Sequence, residues 1–516
     1  MSEIKENFDH TEKIGVVGSP SSTAGLNIDI LGTAVKKRLV GSLSVFHYTQ
    51  DGEDHYAMGQ ITEVQMQNVW TQDPTMRGII RQKGRVDPIT ERQDVHTANM
   101  MVSSVFSDGS KGIEPSSLGT VPATGTSIRL LDQSTMESLF TNYRDEMFYL
   151  GNAYGTSIPM PMWLKHFGKS QAGSGGVGEA YHIGVFGKTG SGKSVLAKMM
   201  VMGYAKHPSM SIFILDPQGE FAGDLAEASP LRRILVERLG RNVEIYDLHN
   251  LVLDDKELFK RILANSGFFE ELGIIMDTNR YRAANEVLKA LQPKKRSAKK
   301  GGLSSFGIDP ESSSPSGSIP LHQAHTREAF DRVWDALGLE QVQNNIYTSK
   351  DARERLSLNY ETADPDEFYE RWRKVANLFS YEHKVRGVKI QDLVKKIGER
   401  QGNTIIIDFS ENNIPPDTYW NDSIRFILIG EFLRTIKSEA EASYRAKQLL
   451  NCLVVIDEAH RLAPREDPET GDMNVVRNSL IDAIRTTRKY GLGWMFISQT
   501  LSSLHREIIS QIRVYV

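Results

Sequence analysis

Tyr181-His-Ile-Gly-Val-Phe-Gly-Lys-Thr-Gly-Ser-Gly-Lys-Ser-Val195 is the stretch on which the reading of this chain turns. Tyr181 to Phe186 is a short apolar run that predicts a buried strand, and Val195 to Tyr204 holds good helix formers and no proline. Between them Gly187, Lys188, Thr189, Gly190, Ser191, Gly192, Lys193 and Ser194 satisfy every fixed position of the G-x-x-x-x-G-K-[ST] phosphate loop. The order strand, loop, helix is what the chemistry needs. Glycines let backbone N–H groups close around phosphate oxygens, and the helix N-terminus adds the positive end of its dipole. Lys193 then reaches the β and γ phosphates of ATP, Ser194 offers its hydroxyl to Mg²⁺, and Val195 continues the binding segment into the helix. A Gly/Ser-rich turn between two core elements is the bland alternative, but eight residues and their setting agree against it.

A chain of 516 residues has room for two to four domains at about 150 residues each. Its hydrophobic fraction of 40% and charged fraction of 24% are those of a globular protein. No run of eighteen apolar residues occurs, and Met1 to His10 lacks an apolar signal core, so a cytoplasmic protein with no membrane partner is expected. Cys452 is the single cysteine, which excludes an intrachain disulfide and a cysteine metal cluster. Its neighbours Leu450 to Ile456 predict a buried strand residue. The net charge of -4 neither requires nor rules out nucleic acid, because only the surface facing a polyanion has to be positive.

Residues 1–150 carry short β-type runs separated by turn residues: Lys13–Val17, Leu43–Tyr48, His55–Val64, Gly78–Gln82 and Ser127–Leu131. This spacing predicts a small N-terminal β-barrel or sandwich, ending near Leu150–Thr156. From Tyr181 onward, apolar runs alternate with helical stretches: Ser211–Asp216, Thr404–Asp408, Leu453–Asp457, Gly493–Ser498 and Ile512–Val516. Continuous, partly β-branched runs are those of a parallel sheet covered on both faces, so an α/β nucleotide-binding core is expected over 151–250 and 400–516. Residues 251–399 read as a helical insertion. Within it 293–320 is a basic and then Ser/Pro/Gly-rich linker, whose lysines and arginine either stay solvated or touch phosphates.

Hydrolysis needs more than a phosphate loop. In Leu453-Val-Val-Ile-Asp457-Glu458-Ala-His460, Asp457 is placed to hold Mg²⁺ through its water shell and Glu458 to orient the attacking water; capping of the next helix is the alternative. Gln499 ends the strand Gly493–Ser498 and reads as a γ-phosphate sensor or as a plain polar strand end. Asp216, opening Asp216-Pro-Gln-Gly-Glu220, either supports water or metal or makes a tight turn. Arg485 and Arg488 are three apart on a predicted helix, where a guanidinium can neutralise transition-state charge, or simply complement the helix C-terminus.

Together Gly187–Ser194, Asp216–Glu220, Ile456–His460, Arg485–Gly491 and Ile497–Thr500 resemble the ordered motifs of the HerA family of hexameric DNA translocases, within the HerA/FtsK ring ATPases. The resemblance implies a RecA-like P-loop ATPase core with a helical insertion, preceded by a HAS-barrel-like domain. It further implies a homo-hexamer with an arginine reaching across each subunit boundary, and a pore for double-stranded DNA. A nuclease or NAD-consuming effector is the implied partner, in DNA end processing or anti-phage defence. Relatives continue beyond the strand in which this chain ends at Val516, with structure that helps complete the ATP site. A ring-shaped scaffold that activates an effector, and a secretion or conjugation ATPase, are the competing functions.

Overall fold

The computed structural model describes residues 3–83, 93–109, 112–144, 147–153, 156–163, 182–292, 317–382, 384, 387–399, 402–467 and 471–516. The chain divides into two compact units, Met1–Leu164 and Lys165–Val516.

In the first unit β1 (Lys13–Val17), β2 (Leu26–Ile30), β3 (Leu43–Gln50), β4 (Glu53–Asn68), β5 (Asp94–Gly109), β6 (Gly112–Ser116) and β7 (Ser127–Leu130) form one antiparallel sheet. The order β2-β1-β7-β3-β4-β5 closes on itself because β5 pairs back onto β2, which makes a six-stranded barrel with β6 added along β5. Closure removes the free edges that an open sheet would expose. Alternation along β3 sorts the side chains. Phe46 points into the cluster that also holds Ile14, Ile28, Ile61 and Ile128, and Val45 into the one formed with Ile4, Phe8, Met136 and Leu139. Both faces of this strand are therefore buried, because the helices Glu3–His10 and Gln133–Leu139 contribute to the second cluster. At Gly59 the ladder with β5 shifts register, and a Cβ there would stand 2.2 Å from the Met101 carbonyl oxygen. Glycine lets the two backbones close at this bulge. A hairpin of β8 (Met147–Asn152) and β9 (Pro159–Trp163) follows within the same unit.

One expected strand is a helix. Gly78–Gln82 lies within the helix Pro74–Lys83. Asp73 accepts the amides of Thr75 (2.7 Å) and Met76 (3.2 Å), and Pro74 sits just inside the start, so capping decides the conformation. A run of two isoleucines misleads because none of this helix is buried.

The second unit is built on β10 (His182–Phe186), β11 (Ser211–Asp216), β12 (Asn242–Tyr246), β13 (Leu251–Val252), β14 (Val388–Lys389), β15 (Asn403–Asp408), β16 (Cys452–Ile456), β17 (Leu492–Ser498) and β18 (Ile512–Tyr515). Seven of them pair in parallel in the order β12-β15-β11-β16-β17-β10-β18, and β13 pairs with β14 apart from this sheet. Strands β11, β15, β16 and β17 are buried along their whole length, as their continuous apolar runs predict. Edge strand β12 escapes that signal because Asn242-Val-Glu-Ile-Tyr246 alternates polar and apolar residues and is half exposed.

Between β13 and β14 the chain is helical in the described part, with Lys256–Ala264, Asp277–Leu291, Arg327–Gly338, Lys350–Thr362 and Pro365–Ala376 among its helices. Its core runs unbroken into that of the sheet: Phe259, Phe330 and Trp372 belong to the same cluster as Phe213, Leu215 and Trp494. The basic stretch from Pro293 and most of the linker lie outside the described residues. Its end does not behave as a linker: the Ile319 amide donates to the Leu291 carbonyl (2.9 Å) and its side chain packs on the core.

Candidate nucleotide-binding site

All seven strands are parallel, so their C-terminal ends share one rim, where ligands of open α/β sheets bind. Strand β10 ends at Phe186, the loop runs from Gly187, and the helix Lys193–Tyr204 begins at once. Gly192 caps that helix with φ of 87°, in the left-handed region, which a side chain would strain. The Gly187 amide donates to the Ser498 carbonyl (3.2 Å), tying the loop to the end of the neighbouring strand β17. Lys188, Thr189, Gly190, Ser191 and Gly192 are exposed, so this rim is open to a phosphate chain; Ser194 is half-buried and Val195 exposed.

Lys193 and Glu458, 265 residues apart, meet here. The Lys193 ammonium donates to Glu458 Oε1 at 2.9 Å, and each side chain is only 9% exposed. Glu458 has φ of 47°, a left-handed backbone that a non-glycine residue adopts at a cost of about 1 kcal/mol or more. Its other oxygen, Oε2, is buried without a hydrogen-bond partner among the described residues and stands 3.3 Å from His460 Nδ1. The preceding Asp457 is buried, and its Oδ1 accepts the Glu458 amide (2.9 Å). Burial pushes the Asp457 carboxyl up to about 7, and the nearby charge of Asp216 adds to the shift. Burial likewise brings the His460 imidazole below its ordinary range, against the opposing pull of Glu458.

Asp216 is buried at the end of β11. Its two oxygens accept the amides of Gly219 (2.9 Å) and Ala222 (2.8 Å), so the tight-turn reading accounts for both. Burial foremost, and the charge of Asp408, hold its carboxyl up at about 6 despite those amides. Asp408, opposite Asp216 in the β11–β15 register, accepts the Ser410 amide (2.8 Å) and the Asn413 side-chain amide (2.6 Å). Sequence reasoning gave it no role, although Thr404-Ile-Ile-Ile-Asp408 ends in an aspartate as Ser211–Asp216 does. His460 and Ser498 also lie at the ends of apolar runs, where nothing in the local sequence marks a role for them.

Gln499 is exposed directly after β17, next to the loop-bound Ser498. Arg485 lies in the last turn of the helix Gly471–Thr487 and pairs with Glu507 at 2.8 Å, both side chains being well exposed. Arg488 lies beyond that helix and opens the 3₁₀ turn Arg488–Tyr490, so the two arginines do not share one α-helix. Lys193 of the loop and Glu458 of the carboxylate pair thus come together, while Arg485 is paired with Glu507.

The donor set suits a nucleotide with its cation. Exposed loop amides and a buried ammonium match a triphosphate, and the Asp457 carboxyl with the Ser194 hydroxyl matches the hard, oxygen-seeking Mg²⁺. Among the described residues no group of three or more His, Cys, Asp or Glu forms a metal cage, so Mg²⁺ here would take its remaining ligands from phosphate and water.

Sheet order, loop and carboxylates define a RecA-like P-loop nucleotide hydrolase. Residues 180–418 match the family model described as Helicase HerA, central domain, so this segment is similar to that domain and has the fold of a P-loop ATPase. No curated protein matches. Among solved structures, the bacterial conjugative coupling protein TrwBdeltaN70 in its unbound monoclinic form aligns at 15% identity and a TM-score of 0.37, covering 75% of this chain and 74% of its own. VirB4 of Thermoanaerobacter pseudethanolicus aligns at 15% identity and 0.33, covering 70% and 80%. Both likenesses are remote and carry no part of the argument. No described helix is long and apolar enough to cross a membrane.

Proposed function

We propose that this chain is an ATP-hydrolysing ring motor that translocates on or unwinds double-stranded DNA, acting as a homo-hexamer with a nuclease or other effector. The observation that carries the reading is the buried Lys193–Glu458 pair joining the phosphate loop to the end of β16. Loop amides from Gly187 to Ser194 bind the triphosphate, and Lys193 leaves Glu458 for the β and γ phosphates. Mg²⁺, held by Ser194 and through water by Asp457, supplies charge neutralisation when bound. Glu458, freed from Lys193, then polarises the attacking water, with Gln499 reporting the γ phosphate to β17. Arg485 or Arg488 reaches the transferred phosphoryl group of a neighbouring copy, where a guanidinium stabilises the developing charge. The barrel of residues 1–150 serves as the docking module for the effector.

ATP turnover measured with and without linear duplex DNA at low salt tests this function. Turnover that rises severalfold with DNA, and that is lost in Glu458→Gln while nucleotide binding persists, is expected. Turnover indifferent to DNA, together with undetectable DNA binding, overturns the motor and leaves a nucleotide-gated scaffold.

A further inference from the structure

The second oxygen of Glu458 is a buried acceptor with no donor, and such a group costs its full desolvation unless something comes to it. His460 Nδ1 is 3.3 Å from that oxygen and also 3.3 Å from Ser498 Oγ. Nδ1 is hydrogen-bonded to Ser498 Oγ and only approaches Oε2; because a carboxylate oxygen can only accept, the tautomer that carries its proton on Nδ1 is the one that can turn to supply the missing donor. Ser498 is fully buried, is held by Ser503 Oγ at 3.2 Å, and immediately precedes Gln499. Its carbonyl meanwhile accepts the Gly187 amide. His460 therefore connects the water-directing carboxylate to the strand end that touches both the phosphate loop and the γ-phosphate sensor.

We propose that His460 is the positioning residue of Glu458: when ATP draws Lys193 away, the His460 Nδ1–H shifts onto Glu458 Oε2 and holds the carboxylate in its attack geometry. This inference rests on the hydrolytic reading of the same site. In the structure Lys193 orients Glu458 through Oε1, and His460 Nδ1 is hydrogen-bonded to Ser498 Oγ. Once Lys193 has moved to phosphate, Oε1 is free to meet the water and Oε2 needs a fixed donor. Without one, a glutamate on a left-handed backbone swings among rotamers and loses the alignment on which general-base action depends. Ser498 then sets how firmly the imidazole is seated, so its state and that of Gln499 are read by the base.

Steady-state ATP turnover of the full chain tests this with His460→Ala, His460→Asn, His460→Gln and Ser498→Ala. An asparagine places its amide donor where Nδ1 stands, whereas a glutamine places it where Nε2 stands. His460→Ala should lower kcat about tenfold, the order of one hydrogen bond to a charged acceptor, with KM and ATP affinity within about twofold of wild type. His460→Asn should recover most of kcat and His460→Gln should not. The double variant His460→Ala/Ser498→Ala should be no slower than His460→Ala alone. Equal rates in wild type and His460→Ala, or equal losses in the Ala, Asn and Gln variants, overturn the proposal, and so does a loss confined to KM. Wild-type protein that binds ATP but turns none over removes the hydrolytic reading itself, a different outcome from normal turnover indifferent to residue 460.

Discussion

At the scale of single residues the site is a balance of buried charges. Lys193 neutralises Glu458 in a place where each is 9% exposed, so removing either leaves the other's buried charge without its counter-charge. Breaking such a pair typically costs about 3 kcal/mol or more. Lys193→Ala should therefore lose nucleotide binding and also lower stability by about that amount. Lys193→Ala/Glu458→Gln should regain most of the stability and none of the binding. Denaturant titration with and without ATP checks both halves, and a fully stable Lys193→Ala protein would show that the pair is not the counter-charge described here. That Lys193 and Glu458 belong to one site was legible from their motifs. The unpaired Oε2 and the approach of His460 were not, because a motif states spacing along the chain and not which lone pair is left over.

Among the elements, β10 is held from below as well as from its loop. His182 at its start is 1% exposed, its Nε2–H donates to the Ile484 carbonyl (3.2 Å) in the helix Gly471–Thr487, and Nδ1 finds no partner among the described residues. Burial pushes this imidazole down to about 4 from an ordinary 6.5. Between those values the unfolded chain takes up a proton that the folded chain refuses, so stability rises with pH across the window and falls as pH drops through it. At pH 5 the loss from this group is about 2 kcal/mol relative to pH 7.5. Denaturant titrations at the two pH values should show a fall larger by that amount in wild type than in His182→Gln, whose amide can still donate to Ile484. An equal fall in both proteins would mean that His182 titrates normally. Elements buried on two faces were legible as apolar runs, as in β11 and β16. The helix Pro74–Lys83 and the edge strand β12 were not, since capping shapes the first and half-exposure thins the pattern of the second.

For the whole molecule, the proposed ring makes assembly part of catalysis. Among the described residues Arg485 pairs with Glu507, an exposed pair worth roughly 1 kcal/mol or less, so it can be released to a neighbour at little cost. Native mass measurement should give a hexamer in the presence of ATP, and Arg485→Ala should keep both the hexamer and nucleotide affinity while losing at least about tenfold in turnover. A monomer that hydrolyses ATP at full rate would remove any need for a residue in trans.

Local order in the chain was enough to pick out the phosphate loop and the carboxylate pair at a strand end. A phosphate loop must follow a strand and open a helix within a few residues, and a carboxylate pair must end another buried strand, so both leave contiguous signatures. Barrel closure through β2 and β5, the insertion's shared core with the sheet, and the meeting of Lys193, Glu458, His460 and Ser498 were decided by tertiary structure alone. Those contacts join residues tens to hundreds of positions apart, and the burial that gives them their strength exists only once the sheet has brought its strand ends to one rim.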